Sequence, residues 1–226
     1  MKRVITALLA ALLVLSLAAC GSGVETKKLA GTWTCTVDVT DRMNAAAEQA
    51  LGLSAADGAA QMTLQLVLTV TEDGAYTLRY DSDAARTALD AYAAALHPAA
   101  VESVYAAAEE QGFSREEYDA AMEKAGITMD DMVAAIFAGV DEEELLSLLT
   151  GRSAALTGYC RAEGGQLYLA DTAAELAETA DCLSYTLSDG TMTWTDAQGE
   201  LSNQLTEQEQ ELLRVPLTWT KQEESK

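Results

Sequence analysis

Histidine occurs once, at position 97, and proline only at positions 98 and 216. A single imidazole and the lack of any Cys-x-x-Cys pair leave a zinc site or a thioredoxin-like redox motif without its ligands. With so little proline, and no glycine/serine or charge block after residue 28, nothing marks a linker, so one folded body is expected. Basic residues are also scarce, 14 against 36 acidic, for a net charge of −22. Phosphate backbones and anionic headgroups need cationic partners, so nucleic acid is excluded as a partner and the acidity serves solubility. Gly-x-Ser-x-Gly, phosphate-binding-loop and dinucleotide fingerprints are absent, and no cofactor is implied. No apolar run reaches the roughly 18–20 residues of a membrane-spanning helix.

What is present begins at the amino terminus. Lys2 and Arg3 precede an apolar run from Val4 to Leu17, broken only by Thr6 and Ser16. About 14 residues suits a signal-peptide core, for which roughly 7–15 are usual. The run ends in Leu17-Ala18-Ala19-Cys20-Gly21, which resembles the lipobox of bacterial lipoproteins. That resemblance implies cleavage before Cys20 and acylation of its thiol, with residues 1–19 a signal peptide and 20–28 a lipid-anchored tether. Two or more acyl chains, at roughly 0.8 kcal/mol per buried methylene, make a stable anchor on the outer, extracytoplasmic face of the cell membrane. Cleavage removes two of the 14 basic residues and none of the acidic ones, taking the net charge from −22 to −24. The body is then expected to stand off the membrane on its tether.

Beyond the tether, two periodicities alternate. From Gln61 to Thr71, Met62, Leu64, Leu66, Leu68 and Val70 share one face and polar residues the other, with Val67 the one lapse. Period two is the mark of a half-buried antiparallel strand. The pattern recurs around Trp33–Val39, Ala75–Asp81, Leu156–Arg161, Gln166–Ala170, Leu183–Leu187, Met192–Thr195 and Val215–Thr220. These are eight candidate strands, three pairs of them joined at Glu72-Asp73-Gly74, Gly164-Gly165 and Asp189-Gly190, turns suited to hairpins.

A block rich in alanine, glutamate and leucine, about 82–151, separates strands three and four. Two helices are expected near Ala84–Leu96 and Ala99–Gln111, split by Pro98. A repeat follows: Phe113-Ser114-Arg115-Glu116-Glu117-Tyr118 is echoed by Ile127–Met132 and by Val140–Leu145. Each copy sets a capping Ser, Thr or Asp before an acid at the third helical position, with an apolar residue on either side as a hydrophobic staple. Helices are expected to start near Arg115, Met129 and Glu142 and to end at Gly126, Gly139 and Gly151. Smaller helical pieces are expected at Met43–Leu51 and just after Asp171 and Thr206.

Eight amphipathic strands in hairpin order bury one face and lose their edges by closing into an up-and-down barrel. A two-sheet sandwich satisfies the same strand count. Gly31-Thr32-Trp33 opens the first strand, as Gly-x-Trp opens the first strand of lipocalins, and the whole mature chain resembles a lipocalin-like bacterial lipoprotein. The resemblance implies an α+β fold: an antiparallel eight-stranded lipocalin-like barrel over 29–223, carrying a multi-helix insertion between strands three and four. It further implies that Trp33 closes one barrel end and that a basic residue near the last strand, Lys221 or Arg214, packs over it. The second and third lipocalin motifs are not evident.

Carboxylates are many, but their contexts are structural. Glu142-Glu143-Glu144 and Asp130-Asp131 fall in first helical turns, where acids favour the helix dipole, and Asp81-Ser82-Asp83 reads as a cap. His97 as a general base needs an orienting acid and a nucleophile that the sequence does not place, so no catalytic or metal residue is assigned. The strand phases point Trp33, Tyr76, Tyr80, Tyr185, Trp194 and Trp219 inward, and Tyr159 with them if Cys160 lies outside. They form either a filled core or the wall of a cavity for a small apolar or amphipathic ligand. Cys160 and Cys182 are the candidate disulfide pair, provided both face outward near strand ends, while Cys35 reads as a small buried residue. The expected function is non-enzymatic binding at the cell envelope. The alternative is an envelope scaffold whose helical block, covering one barrel mouth in the first reading, docks a protein partner.

Overall fold

The computed structural model describes residues 24–53, 60–138, 155–179, 181–198, 210 and 212–223. Eight strands follow one another in sheet order: β1 (Gly31–Asp38), β2 (Thr63–Val70), β3 (Ala75–Tyr80), β4 (Leu156–Glu163), β5 (Gln166–Ala170), β6 (Cys182–Ser188), β7 (Thr191–Gln198) and β8 (Leu217–Lys221). Every pairing with a described register is antiparallel, and β8 returns to β1 with Trp33 opposite Lys221 and Thr34 opposite Thr220, which closes the barrel. That non-local pairing decides between barrel and sandwich. Contacts group the chain into two compact units, one of Met1–Cys35, Leu66–Tyr80 and Ala154–Lys226, the other of Thr36–Gln65 and Asp81–Ser153.

In the first unit, alternation does the work the sequence assigns to it. Leu66, Leu68 and Val70 on β2, Leu78 on β3, Leu167 on β5, Leu183 on β6 and Leu217 on β8 are buried, whereas Thr69, Arg79 and Thr218 are exposed. The Asp189-Gly190 turn puts both residues at positive φ, 47° and 75°, as a right-twisted two-residue hairpin requires. One register shift interrupts the alternation: Ser184 lies opposite Asp196 but Tyr185 lies opposite Trp194. The extra residue, Thr195, bulges outward with Asp196, and the phase that keeps Trp194 inside is preserved.

The inner face of β4 carries the small residues Gly158, Cys160 and Ala162. A β-carbon at Gly158 would fall 2.6 Å from the Ala170 carbonyl oxygen and 2.9 Å from the ring and hydroxyl of Tyr76. Gly158→Ala is therefore expected to cost about 1–3 kcal/mol in a urea titration, as overpacking does. Adding Tyr76→Ala should not restore stability, because the nearer atom belongs to backbone. Full recovery in the double variant would show that the Ala170 contact yields.

The second unit is helical over α1 (Thr40–Leu51), α2 (Ser82–Glu110), α3 (Arg115–Ala125) and α4 (Met129–Phe137). The expected break at Pro98 does not occur: α2 runs through it for 29 residues. Proline removes one helical hydrogen bond, but Tyr92, Leu96, Ala100, Val104 and Ala108 recur every fourth residue as one buried stripe. Packing along that stripe carries the helix past the lost bond. Asp81 caps α2, accepting from the Asp83 and Ala84 amides. Both described copies of the repeat form capping boxes, Ser114 with Glu117 and Thr128 with Asp131, and Gly126 ends α3 in the left-handed conformation. Phe113 and Ile127, which precede the caps, stay 46% and 42% exposed. The third copy, with Gly139 and Gly151, lies outside the described residues. So do residues 207–209 and 211 of the piece expected just after Thr206. The piece after Asp171 is a 3-10 turn at Glu175–Ala177.

Candidate functional site

One end of the barrel is built around Trp33. Its side chain is fully buried, and its indole Nε1–H donates to the Leu29 carbonyl at 2.7 Å. Lys221 sets its ammonium 5.2 Å from the ring centroid and donates to the Lys28 carbonyl at 3.5 Å. Of the two basic candidates it is Lys221 that packs over the tryptophan; Arg214 is exposed. Gly31 makes room for this arrangement. Its φ is +128°, and a β-carbon there would lie 2.8 Å from Lys221 Cε.

Residues 24–28, expected within the tether, are helical together with Leu29 and belong to the same end. Leu29 and Thr26 are buried. The Ala162 amide donates to Thr26 Oγ1 at 3.0 Å, and the Gly164 amide donates to Glu25 Oε2 at 2.8 Å. Only residues 21–23 then separate Cys20 from this helix.

Further in, Trp194 and Trp219 lie with ring centroids 4.8 Å apart and planes tilted by 49°. Leu217 stands opposite Trp194 and Met192 opposite Trp219. Both indole N–H groups are buried and neither has a hydrogen-bond partner among the described residues. Indole can only donate, and a buried donor left unpaired costs about 1–3 kcal/mol. Tyr76, Tyr80 and Tyr185 are half-buried on the inner face, opposite Val70, Leu66 and Trp194. Burial first, then the charges of Glu25 and Cys160, pushes the Tyr185 hydroxyl above its ordinary value. The structure thus brings six of the seven aromatic candidates onto the interior face. The seventh, Tyr159, is corrected: Cys160 takes the inward phase, so Tyr159 lies on the outer face opposite Ala75 and Ala170.

The Cys160–Cys182 bridge is likewise not formed, because the two residues sit on opposite faces of the barrel wall. Cys160 points inward with Leu169 opposite, whereas Cys182 pairs with Tyr168 on the outer face. None of the three described cysteines is in a disulfide, and all three are buried. The Cys182 thiol donates to Gln166 Oε1 at 3.3 Å. Burial pushes the Cys160 thiol up to about 12 and raises Cys35 as well, so both stay protonated and unreactive at neutral pH.

The helical unit holds a feature the sequence gives little sign of: an apolar cleft of about 210 Å³ between α1 and α2, with Phe137 at its edge. Met43, Ala46, Ala47 and Ala50 face Leu89, Tyr92, Ala93 and Leu96 across it. The only hints are alanines at helical spacing, which leave room without forming an obvious apolar stripe. Tyr92 donates to Asn44 Oδ1 at 2.6 Å between the same two helices. His97 does find an acid, Asp130 at 3.1 Å, but both side chains are well exposed and the pair ties α2 to α4 at the surface. Among the described residues, no three His, Cys, Asp or Glu side chains are grouped to hold a metal ion, and no helix is long and apolar enough to cross a membrane.

Comparison of the chain with protein-family models, with curated proteins and with solved structures finds no match in any of the three.

Proposed function

We propose that this chain is a cell-envelope lipoprotein, anchored to the outer face of the membrane through acylated Cys20, whose lipocalin-like barrel holds a small amphipathic ligand without catalysis. The Gly31–Trp33–Lys221 corner supports the lipocalin-like reading, with α2–α4 as its insertion between the third and fourth strands. The observation that carries the ligand is the pair of buried indole N–H donors on Trp194 and Trp219, which have no partner among the described residues. An apolar molecule bearing a carbonyl oxygen would satisfy them. A neutral carbonyl fits better than a carboxylate, because desolvating an anion requires a paired cation, and the Lys221 ammonium is already placed over Trp33.

The test pairs native mass spectrometry of detergent-extracted protein with a fluorescence titration. Mass spectrometry should report diacylglycerol on Cys20, and Cys20→Ser should release the protein from the membrane fraction. Tryptophan emission should respond to a medium-chain methyl ketone more strongly than to the alkane of equal length. Trp219→Phe should weaken the ketone by about tenfold, the worth of one hydrogen bond, and leave the alkane unchanged. Equal affinity for ketone and alkane in the parent protein would remove the role given to the indoles.

A second reading, an envelope scaffold, draws on exposed Phe113 and Ile127 beside the caps of α3 and α4. It requires that Phe113→Ser with Ile127→Ser abolish partner recovery from envelope extracts while ligand binding is retained.

A further inference from the structure

The three tight hairpin turns, Glu72–Gly74, Gly164-Gly165 and Asp189-Gly190, all lie at the barrel end where β1 begins and β8 finishes. The four longer connections leave from the other end. Residues 24–29 are fixed at the hairpin end by four bonds: Thr26 accepts from the Ala162 amide, Glu25 from the Gly164 amide, the Leu29 carbonyl from the Trp33 indole and the Lys28 carbonyl from Lys221. Four Cα steps separate Cys20 from Val24, and a fully extended chain covers at most about 14 Å in that distance. An eight-residue strand spans about 26 Å, or about 20 Å along the axis of a barrel with the usual tilt. The anchor is therefore shorter than the barrel is tall. An attached acyl group cannot bring the far end to the bilayer without leaving the hairpin end close to it as well.

A second observation points the same way. Among the described residues of this unit, the exposed large hydrophobics are Val24, 55% exposed, and Leu187, 36% exposed, and both stand at the hairpin end. Leu187 has the inward phase, opposite Met192, but sits at the barrel rim beside the Asp189-Gly190 turn. Against contact stand the carboxylates of Glu72, Asp73, Glu163 and Asp189; for it, the exposed ammonium groups of Lys27 and Lys28. Repulsion from anionic headgroups acts at full strength within about 8 Å at physiological salt, so the contact is expected on zwitterionic rather than anionic lipid.

We propose that the hairpin end of the barrel is an interaction surface for the lipid bilayer, held there by the short anchor and seated through Val24 and Leu187. The inference rests on the acylation of Cys20 and adds to it a fixed orientation, with the far end of the barrel directed away from the membrane.

The test uses the full-length acylated protein in phosphatidylcholine nanodiscs containing a gadolinium-labelled headgroup lipid, read by amide NMR attenuation. Attenuation should be several-fold stronger at Asp73, Gly164 and Asp189 than at Leu156 and Ala170, which mark the opposite strand ends. Twenty Gly/Ser residues inserted between Gly23 and Val24 should reduce that contrast, and Val24→Ser with Leu187→Ser should reduce it further. If mass spectrometry confirms the acyl chains and attenuation is uniform or reversed, the orientation is wrong while the lipoprotein reading stands. If Cys20 carries no lipid, both are overturned.

Discussion

Replacing Trp33 with alanine should destabilise the barrel by about 3–5 kcal/mol, the usual cost of deleting a buried tryptophan. The side chain is fully buried at the closed end, so truncation removes a large apolar volume where Lys221 and residues 24–29 converge. The loss is not confined to packing. The Leu29 carbonyl would lose the donor that satisfies it, leaving the short helix its bonds from Ala162, Gly164 and Lys221. Against a typical domain stability of about 5–15 kcal/mol, the change is a large share of the whole. Lys221→Met should cost about 0.5–1 kcal/mol, since it removes the cation from the ring while keeping much of the stem. Urea midpoints for the two variants give the comparison, and limited proteolysis near residue 24 reports whether the helix is released. A Trp33→Ala loss smaller than that of Lys221→Met would show that the closed end is held elsewhere.

The same corner shows how far the sequence could be read. Trp33 alternates with Cys35 and Val37, so its inward phase follows from neighbours two residues away, and the structure bears it out. Its partner is 188 positions distant, and no local pattern chooses Lys221 over Arg214; that choice is made by the pairing that closes the barrel. Strand β4 is harder to read for a different reason. Its inward residues, Gly158, Cys160 and Ala162, are small because the Tyr76 ring lies against Gly158, while its larger residues, Tyr159 and Arg161, face outward. Side-chain size therefore points the wrong way, and both the placement of Tyr159 and the expected disulfide inherited that error. Pro98 misleads in the opposite sense. A local rule about lost hydrogen bonds is overridden by a buried stripe from Tyr92 to Ala108 that only tertiary packing makes visible. The capping boxes at Ser114 and Thr128 are legible because every atom they use lies within three residues.

Stability should fall on the alkaline side, and Cys160 should account for a measurable part of the slope. Its thiol ordinarily titrates at 9.0, and burial inside the barrel pushes it up to about 12. In the folded protein the group holds its proton across a range in which the unfolded chain has lost it. The stabilisation it contributes is therefore complete below about pH 9 and is lost as the pH rises toward 12. The slope reaches about 1.4 kcal/mol per pH unit where the two states differ by one full proton. Burial raises Cys35 and Tyr185 in the same direction, so removing Cys160 should shrink the slope without abolishing it. Cys160→Ala is the informative variant. It costs stability at neutral pH through the small cavity it leaves, yet it should lose less than the parent between pH 9 and 11. Chemical denaturation at half-unit intervals checks this, and parallel slopes in the two proteins would mean that Cys160 meets water in the folded state. The consequence reaches the ligand. An interior that keeps a thiol neutral up to about pH 12 also penalises any other buried anion. A carboxylate entering the barrel would meet that same penalty, whereas the neutral carbonyl of the proposed ligand would not.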